Sequence, residues 1–171
     1  MLEREYYTLV QLAHPRIIAV YDFGVDSNGP YYLMELLEGT DLQNVDRLPW
    51  RTACIALRDV ASALAMLHSR GVVHRDVSMR NVHWDSEHAK LIDFGAMTPM
   101  GVAKDVVGTA PFAAPEAVQL QALDGRADLY SLGALAYRLL TGRHAYPARR
   151  FADLRDSWRS KPAALVPEVL C

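Results

Sequence analysis

Val72-Val73-His74-Arg75-Asp76-Val77-Ser78-Met79-Arg80-Asn81, followed by Lys90-Leu91-Ile92-Asp93-Phe94-Gly95, is the stretch on which the reading of this chain turns. Short apolar pieces, Val72-Val73 and Lys90 to Ile92, flank a polar loop that holds Asp76 and Asn81, and Asp93 follows the second piece directly. Oxygen ligands of this kind suit a hard cation such as Mg2+, and a positioned carboxylate can accept the proton of a substrate hydroxyl. Each block alone is ordinary loop chemistry, because Asp and Asn favour turns. Their order and spacing together carry the signal.

Working outward, Leu57, Val60, Leu64 and Leu67 repeat at helical spacing between Ala53 and Ser69, with Arg58 and Asp59 on the other side, which predicts one long helix stopped at Gly71. Further upstream, Ile17, Ile18, Val20, Tyr21 and Phe23 read as a strand. The turn Asp26-Ser27-Asn28-Gly29 and a second apolar run, Tyr31 to Leu37, complete a hairpin. Leu2, Leu9 and Leu12 share a helical face that ends at His14-Pro15. Glu5 falls on that face, with no Lys or Arg nearby as an obvious partner, and an unpaired inward charge is costly.

Downstream, glycines, prolines and alanines between Phe94 and Pro115 predict irregular backbone. Asp128 to Leu140 is apolar on nearly every side and predicts a helix buried all round, ended by Gly142. The tail offers one short helix, Phe151 to Trp158, and no internal repeat or linker is visible.

The 171 residues, 51% hydrophobic and 22% charged, have the proportions of a globular domain rather than of a disordered chain. Eighteen basic against twenty acidic residues give a net charge of −2, so no overall field recruits nucleic acid, and none is expected as a partner. The two cysteines, Cys54 and Cys171, are too few and too distant for a disulfide framework, which points to a reducing, cytoplasmic setting. No stretch approaches the length of an apolar membrane span.

In these blocks the chain resembles the protein kinase family. The resemblance runs from about Glu3 to Gly142. It comprises an inward Glu5 ten residues before the Pro of AHP, YYLMELLEG (31–39), VVHRDVSMRN (72–81), LIDFG (91–95), GTAPFAAPE (108–116) and DLYSLG (128–133). It implies an α+β, protein-kinase-like fold, with residues 1–38 as a partial small lobe (one helix and a β-hairpin) and residues 39–171 as a mostly helical large lobe. The implied activity is transfer of the ATP γ-phosphoryl group to a protein serine or threonine hydroxyl, with ATP and Mg2+ as cofactors.

By the same resemblance Asp76 receives the hydroxyl proton, Asn81 and Asp93 hold Mg2+, and Arg80 takes over from the usual catalytic-loop lysine, whose place is filled by Ser78. Met34 becomes the gatekeeper, the backbone carbonyl of Glu35 and the N–H of Leu37 face the adenine, and His83 lies beneath it. Thr109 and Glu116 belong to the substrate segment. Leu9, Val20, His74 and Phe94 form a stacked spine on Asp128. His68 and His88 read as surface residues near turns.

The family's glycine-rich strand-turn-strand, and the strand lysine that pairs with Glu5, have no counterpart in this sequence, nor do the last helices of the large lobe. The chain therefore reads as a fragment, slow or inactive alone. With Thr98 and Thr109 as the only hydroxyl side chains between Asp93 and Glu116, Arg75 is expected to pair with Asp105 or water instead of a phosphate. The alternative reading is a catalytically inactive, pseudokinase-like binding module.

Overall fold

A computed structural model describes residues 6–7 and 9–160. Strands β1 (Val20–Asp26) and β2 (Gly29–Met34) form the expected antiparallel hairpin, with Asp26 paired to Gly29 across the turn. Two local features make that turn: Asp26 Oδ1 accepts from Asn28 N at 2.7 Å, and Gly29 sits at φ +122°, open to glycine at no steric cost. Then follow β3 (Thr40–Asp41), helix α1 (Trp50–Ser69), β4 (Val72–Val73), β5 (Val82–Trp84) and β6 (Ala89–Leu91). After them come β7 (Thr98–Pro99), β8 (Gly101–Val102), α2 (Pro115–Val118), β9 (Ala122–Leu123), α3 (Gly125–Thr141) and α4 (Phe151–Ser160).

The core is helical. α1 packs against α3 and β6, burying Val60, Leu64 and Leu67 from one side and Leu135 and Leu139 from the other. Gly142 closes α3 in the left-handed conformation, at φ 72°, and donates its N–H to the Arg138 carbonyl. The short strands fasten loops onto this core. The order β3-β5-β6 makes one small sheet, while β4 pairs with β7 and β8 with β9. The β5–β6 ladder decides the site: Val82 faces Leu91, and Ile92 N donates to the Asn81 carbonyl at 2.9 Å, so Asn81 and Asp93 leave the same ladder end.

The structure corrects several expectations. Ile17 and Ile18 do not begin β1. They join the edge of β6, where Ile18 N donates to Leu91 O and Leu91 N to Arg16 O, and both side chains enter the main core. α3 is buried along one stripe, Ala127, Ser131, Leu135 and Leu139, with Leu129 53% exposed. Asp59, opposite the predicted apolar stripe of this helix, is nonetheless 3% exposed, because Arg16 Nε (3.4 Å), Arg58 Nη2 (2.9 Å) and Ala89 N (3.1 Å) all reach its carboxylate. Glu5 lies outside the described residues. Among the described residues no helix is long and apolar enough to cross a membrane.

Candidate active site

The polar loop after β4 is strapped to α3 by Asp128, a wholly buried carboxylate in that helix's first turn. Its Oδ1 accepts from Arg75 N at 2.9 Å, and its Oδ2 accepts from His74 N at 2.9 Å and lies 2.8 Å from His68 Nε2. These bonds hold Arg75 at φ 71°, a conformation that few side-chain-bearing residues adopt unsupported. His74 is buried edge-on against Phe94, with ring centroids 4.9 Å apart, and its Nδ1 accepts from Asp76 N at 3.3 Å. Burial pushes the His74 pKa down, against the opposing pull of Asp128, Asp76 and Asp93.

Asp76 is 6% exposed and gathers donors on both oxygens. Oδ1 accepts from Thr109 Oγ1 at 2.7 Å; Oδ2 accepts from Arg80 Nη2 at 3.0 Å and Asn81 Nδ2 at 2.9 Å. The same Asn81 amide also donates to the Asp76 backbone carbonyl at 2.9 Å. Thr109 reaches Asp76 because Gly108, at φ +104°, passes close to the loop: a Cβ there would lie 2.6 Å from the Arg75 carbonyl oxygen.

Asp93 is exposed, at φ 60°, and accepts one bond from Gly95 N at 3.2 Å. Its carboxylate and the Asn81 Oδ1 are hard oxygen donors. Among the described residues no group of three or more His, Cys, Asp or Glu is gathered as a ready metal cage.

On the other side, Met34 ends β2 opposite Val20 and is exposed. Glu35 holds Ala19, the residue before β1, in two ways: its N–H donates to Ala19 O at 2.9 Å, and its Oε1 accepts from Ala19 N at 2.8 Å. Its other oxygen pairs with Lys90. Leu37 is half-buried against the core. His83 Nε2 lies 2.9 Å from the Glu38 carbonyl, an acceptor only, so this nitrogen carries the proton. Gly39 lets the chain cross β5, since a Cβ there would lie 2.3 Å from Trp84 O. Glu116 is half-buried in the first turn of α2, close enough to Arg126 and Tyr130 to act on both electrostatically.

Arg75 pairs with Asp105, its Nη2 lying 2.9 Å from Oδ1, as expected for a loop without a phosphate acceptor nearby. His68 is a correction: instead of standing free at a turn it supports Asp128. Neither it nor the Glu35–Lys90 pair is signalled locally in the sequence, because the partners lie 60 and 55 residues apart.

Comparison with known proteins identifies the family. The family profile described as protein kinase domain matches residues 1–162. The human serine/threonine-protein kinase ULK1 is 32% identical over 99% of this chain and 18% of its own length. Serine/threonine-protein kinase Pkn1 of Myxococcus xanthus is 36% identical over 77% of the chain and 21% of its own length. Serine/threonine-protein kinase PknL of Mycobacterium tuberculosis is 38% identical over 78% and 36%. The chain thus spans between 18% and 36% of the length of these relatives.

Proposed function

The chain belongs to the protein kinase domain family, and from that premise we propose that it transfers the γ-phosphoryl group of ATP to a serine or threonine hydroxyl of a protein. The observation that carries this reading is the Asp76 carboxylate. It is buried and oriented by Arg80 and Asn81, and it already accepts a hydroxyl proton donor, Thr109 Oγ1, at 2.7 Å. A substrate hydroxyl meeting the same oxygen would find a base that needs no reorientation.

The remaining roles are those that the family resemblance implies. Asn81 Oδ1 and the Asp93 carboxylate would hold Mg2+. When bound, Mg2+·ATP supplies the phosphoryl group and neutralises phosphate charge. Arg80 keeps a guanidinium beside the base, where negative charge moves during transfer. The Glu35 carbonyl and Leu37 N–H would bind the adenine edge, with His83 beneath the ring, Met34 at its back and Glu5 in the nucleotide half. Residues 1–38 and 39–171 would then act as two lobes around the nucleotide. Thr109 and Glu116 anchor the substrate segment, and a reducing cytoplasm is the proposed setting.

Labelled ATP, Mg2+ and a mixed serine, threonine and tyrosine peptide pool test the proposal. Label should appear on serine or threonine, and Asp76→Asn should slow it by about 10²–10⁴-fold. Label confined to tyrosine, or an Asp76→Asn rate equal to the parent's, would overturn it.

A further inference from the structure

Next to Asp76 lies a cavity of about 270 Å3 whose wall includes Ser78, Arg80, Thr109, Phe112, Arg138 and His144. Its lining brings two guanidinium groups and an imidazole together and, among the described residues, includes no acidic side chain. Arg138 reaches it from α3, donating Nη1 to the Asp46 backbone carbonyl at 2.7 Å. The exposed Asp46 carboxylate stands 4.0 Å from Nη2, too far for a hydrogen bond. His144 packs edge-on to Phe112, with centroids 5.3 Å apart.

Two buried polar atoms in this wall are unpartnered among the described residues, Ser78 Oγ and His144 Nδ1. Ser78 is 1% exposed. Buried polar atoms nearly always find partners, and leaving one without any is costly, so two beside one cavity point to an occupant with polar atoms of its own. Burial, then the nearby Arg138, lowers the His144 pKa, so at neutral pH the ring is uncharged and can offer one N–H. A hydroxyl, an imidazole N–H and two guanidinium groups are together a donor set for an oxyanion.

The cavity adjoins the reaction centre, since Arg80 and Thr109 line it and both bond to the Asp76 carboxylate. An extended peptide advances roughly 3.3 Å per residue, so a side chain in the cavity belongs to a residue within about three positions of the acceptor. We propose that this cavity receives an anionic side chain of the substrate, a carboxylate or a phosphoryl group, and that Arg138 and His144 set this specificity. The inference rests on the kinase reading for the course of the peptide.

Fluorescence anisotropy of labelled peptides on the purified chain, without nucleotide, tests it. Each peptide carries one serine acceptor, with glutamate, phosphoserine, glutamine or lysine placed in turn at each flanking position. At one position the anionic residue should bind about tenfold more tightly than glutamine, the scale of one charge-assisted hydrogen bond. Arg138→Gln should abolish that preference and Arg138→Lys retain most of it, with affinity for the glutamine peptide unchanged in both. His144→Phe, which keeps the stack on Phe112, should reduce it by about threefold. Glutamate above phosphoserine assigns a carboxylate ligand and the reverse order a phosphoryl ligand; either supports the proposal. Equal binding of all four peptides, or a lysine preference, would overturn it. ATP binding on the same sample is read separately, so a parent chain that binds nucleotide but shows no anion preference refutes this inference and leaves the kinase reading standing.

Discussion

Asp76 and Asp93 carry the same carboxylate in opposite settings. Asp76 is buried under three side-chain donors, whereas Asp93 stands exposed with one backbone N–H on it. The difference matches the two tasks proposed for them. A base must present one lone pair in one direction, so its orientation is fixed in advance. A ligand of Mg2+ can adjust, because the cation and the phosphates complete the geometry when they arrive. The loop that carries Asp76 is held by Asp128, which ties it to the core through His74 N and Arg75 N.

Removing that tie should break the contrast most strongly. Asp128→Ala leaves His74 N and Arg75 N without their acceptor, and the loss of stability should be about 3–5 kcal/mol in denaturant melts. Asp93→Ala should change the same melts by about 1 kcal/mol or less. Gly108→Ala comes next: at φ +104° and against the Arg75 carbonyl it should cost about 1–3 kcal/mol, and it should slow phosphoryl transfer by displacing Thr109. Thr109→Val, which removes one donor from Asp76 without a change of shape, should cost about 1 kcal/mol in stability.

Acid should act on the link between the two carboxylates. The His74 N–H is held by Asp128, its Nδ1 bonds Asp76 N, and its ring packs on Phe94, next to Asp93. Its pKa in the folded chain is lowered by burial, and those of His14 and His144 are lowered as well. Below about pH 6.5 the unfolded chain therefore binds protons that the folded chain refuses, and stability falls with pH through that window and levels off above it. Tm should be lower at pH 5.5 than at pH 7.5, and His74→Phe should reduce the difference.

Local patterns gave away much of this molecule and long-range pairings did not. The hairpin was legible because Asp26, Asn28 and Gly29 make their own turn, and the end of α3 because Gly142 supplies its own cap. The burial of Asp59 is not legible, since nothing near it in sequence announces that Arg16 and Ala89 N converge on it from other elements. The stripe of α3 was misjudged for a similar reason: apolar residues all round a helix do not say which face the fold will cover. At the site, the order of the blocks 74–81 and 93–95 carries the family resemblance on which the proposed chemistry rests. The support from His68, and the meeting of Arg80 with Arg138 around one cavity, depend on how α1, α3 and the loop pack together.

The division of labour between the two aspartates is tested most directly by calorimetric titration of the chain with ATP, with and without Mg2+, in parent, Asp93→Ala and Asp76→Asn proteins. The account predicts Mg2+-dependent binding in the parent, its loss in Asp93→Ala, and its retention in Asp76→Asn, whose phosphoryl transfer is nonetheless impaired. Binding that ignores Mg2+, or that survives in Asp93→Ala as in the parent, would contradict it.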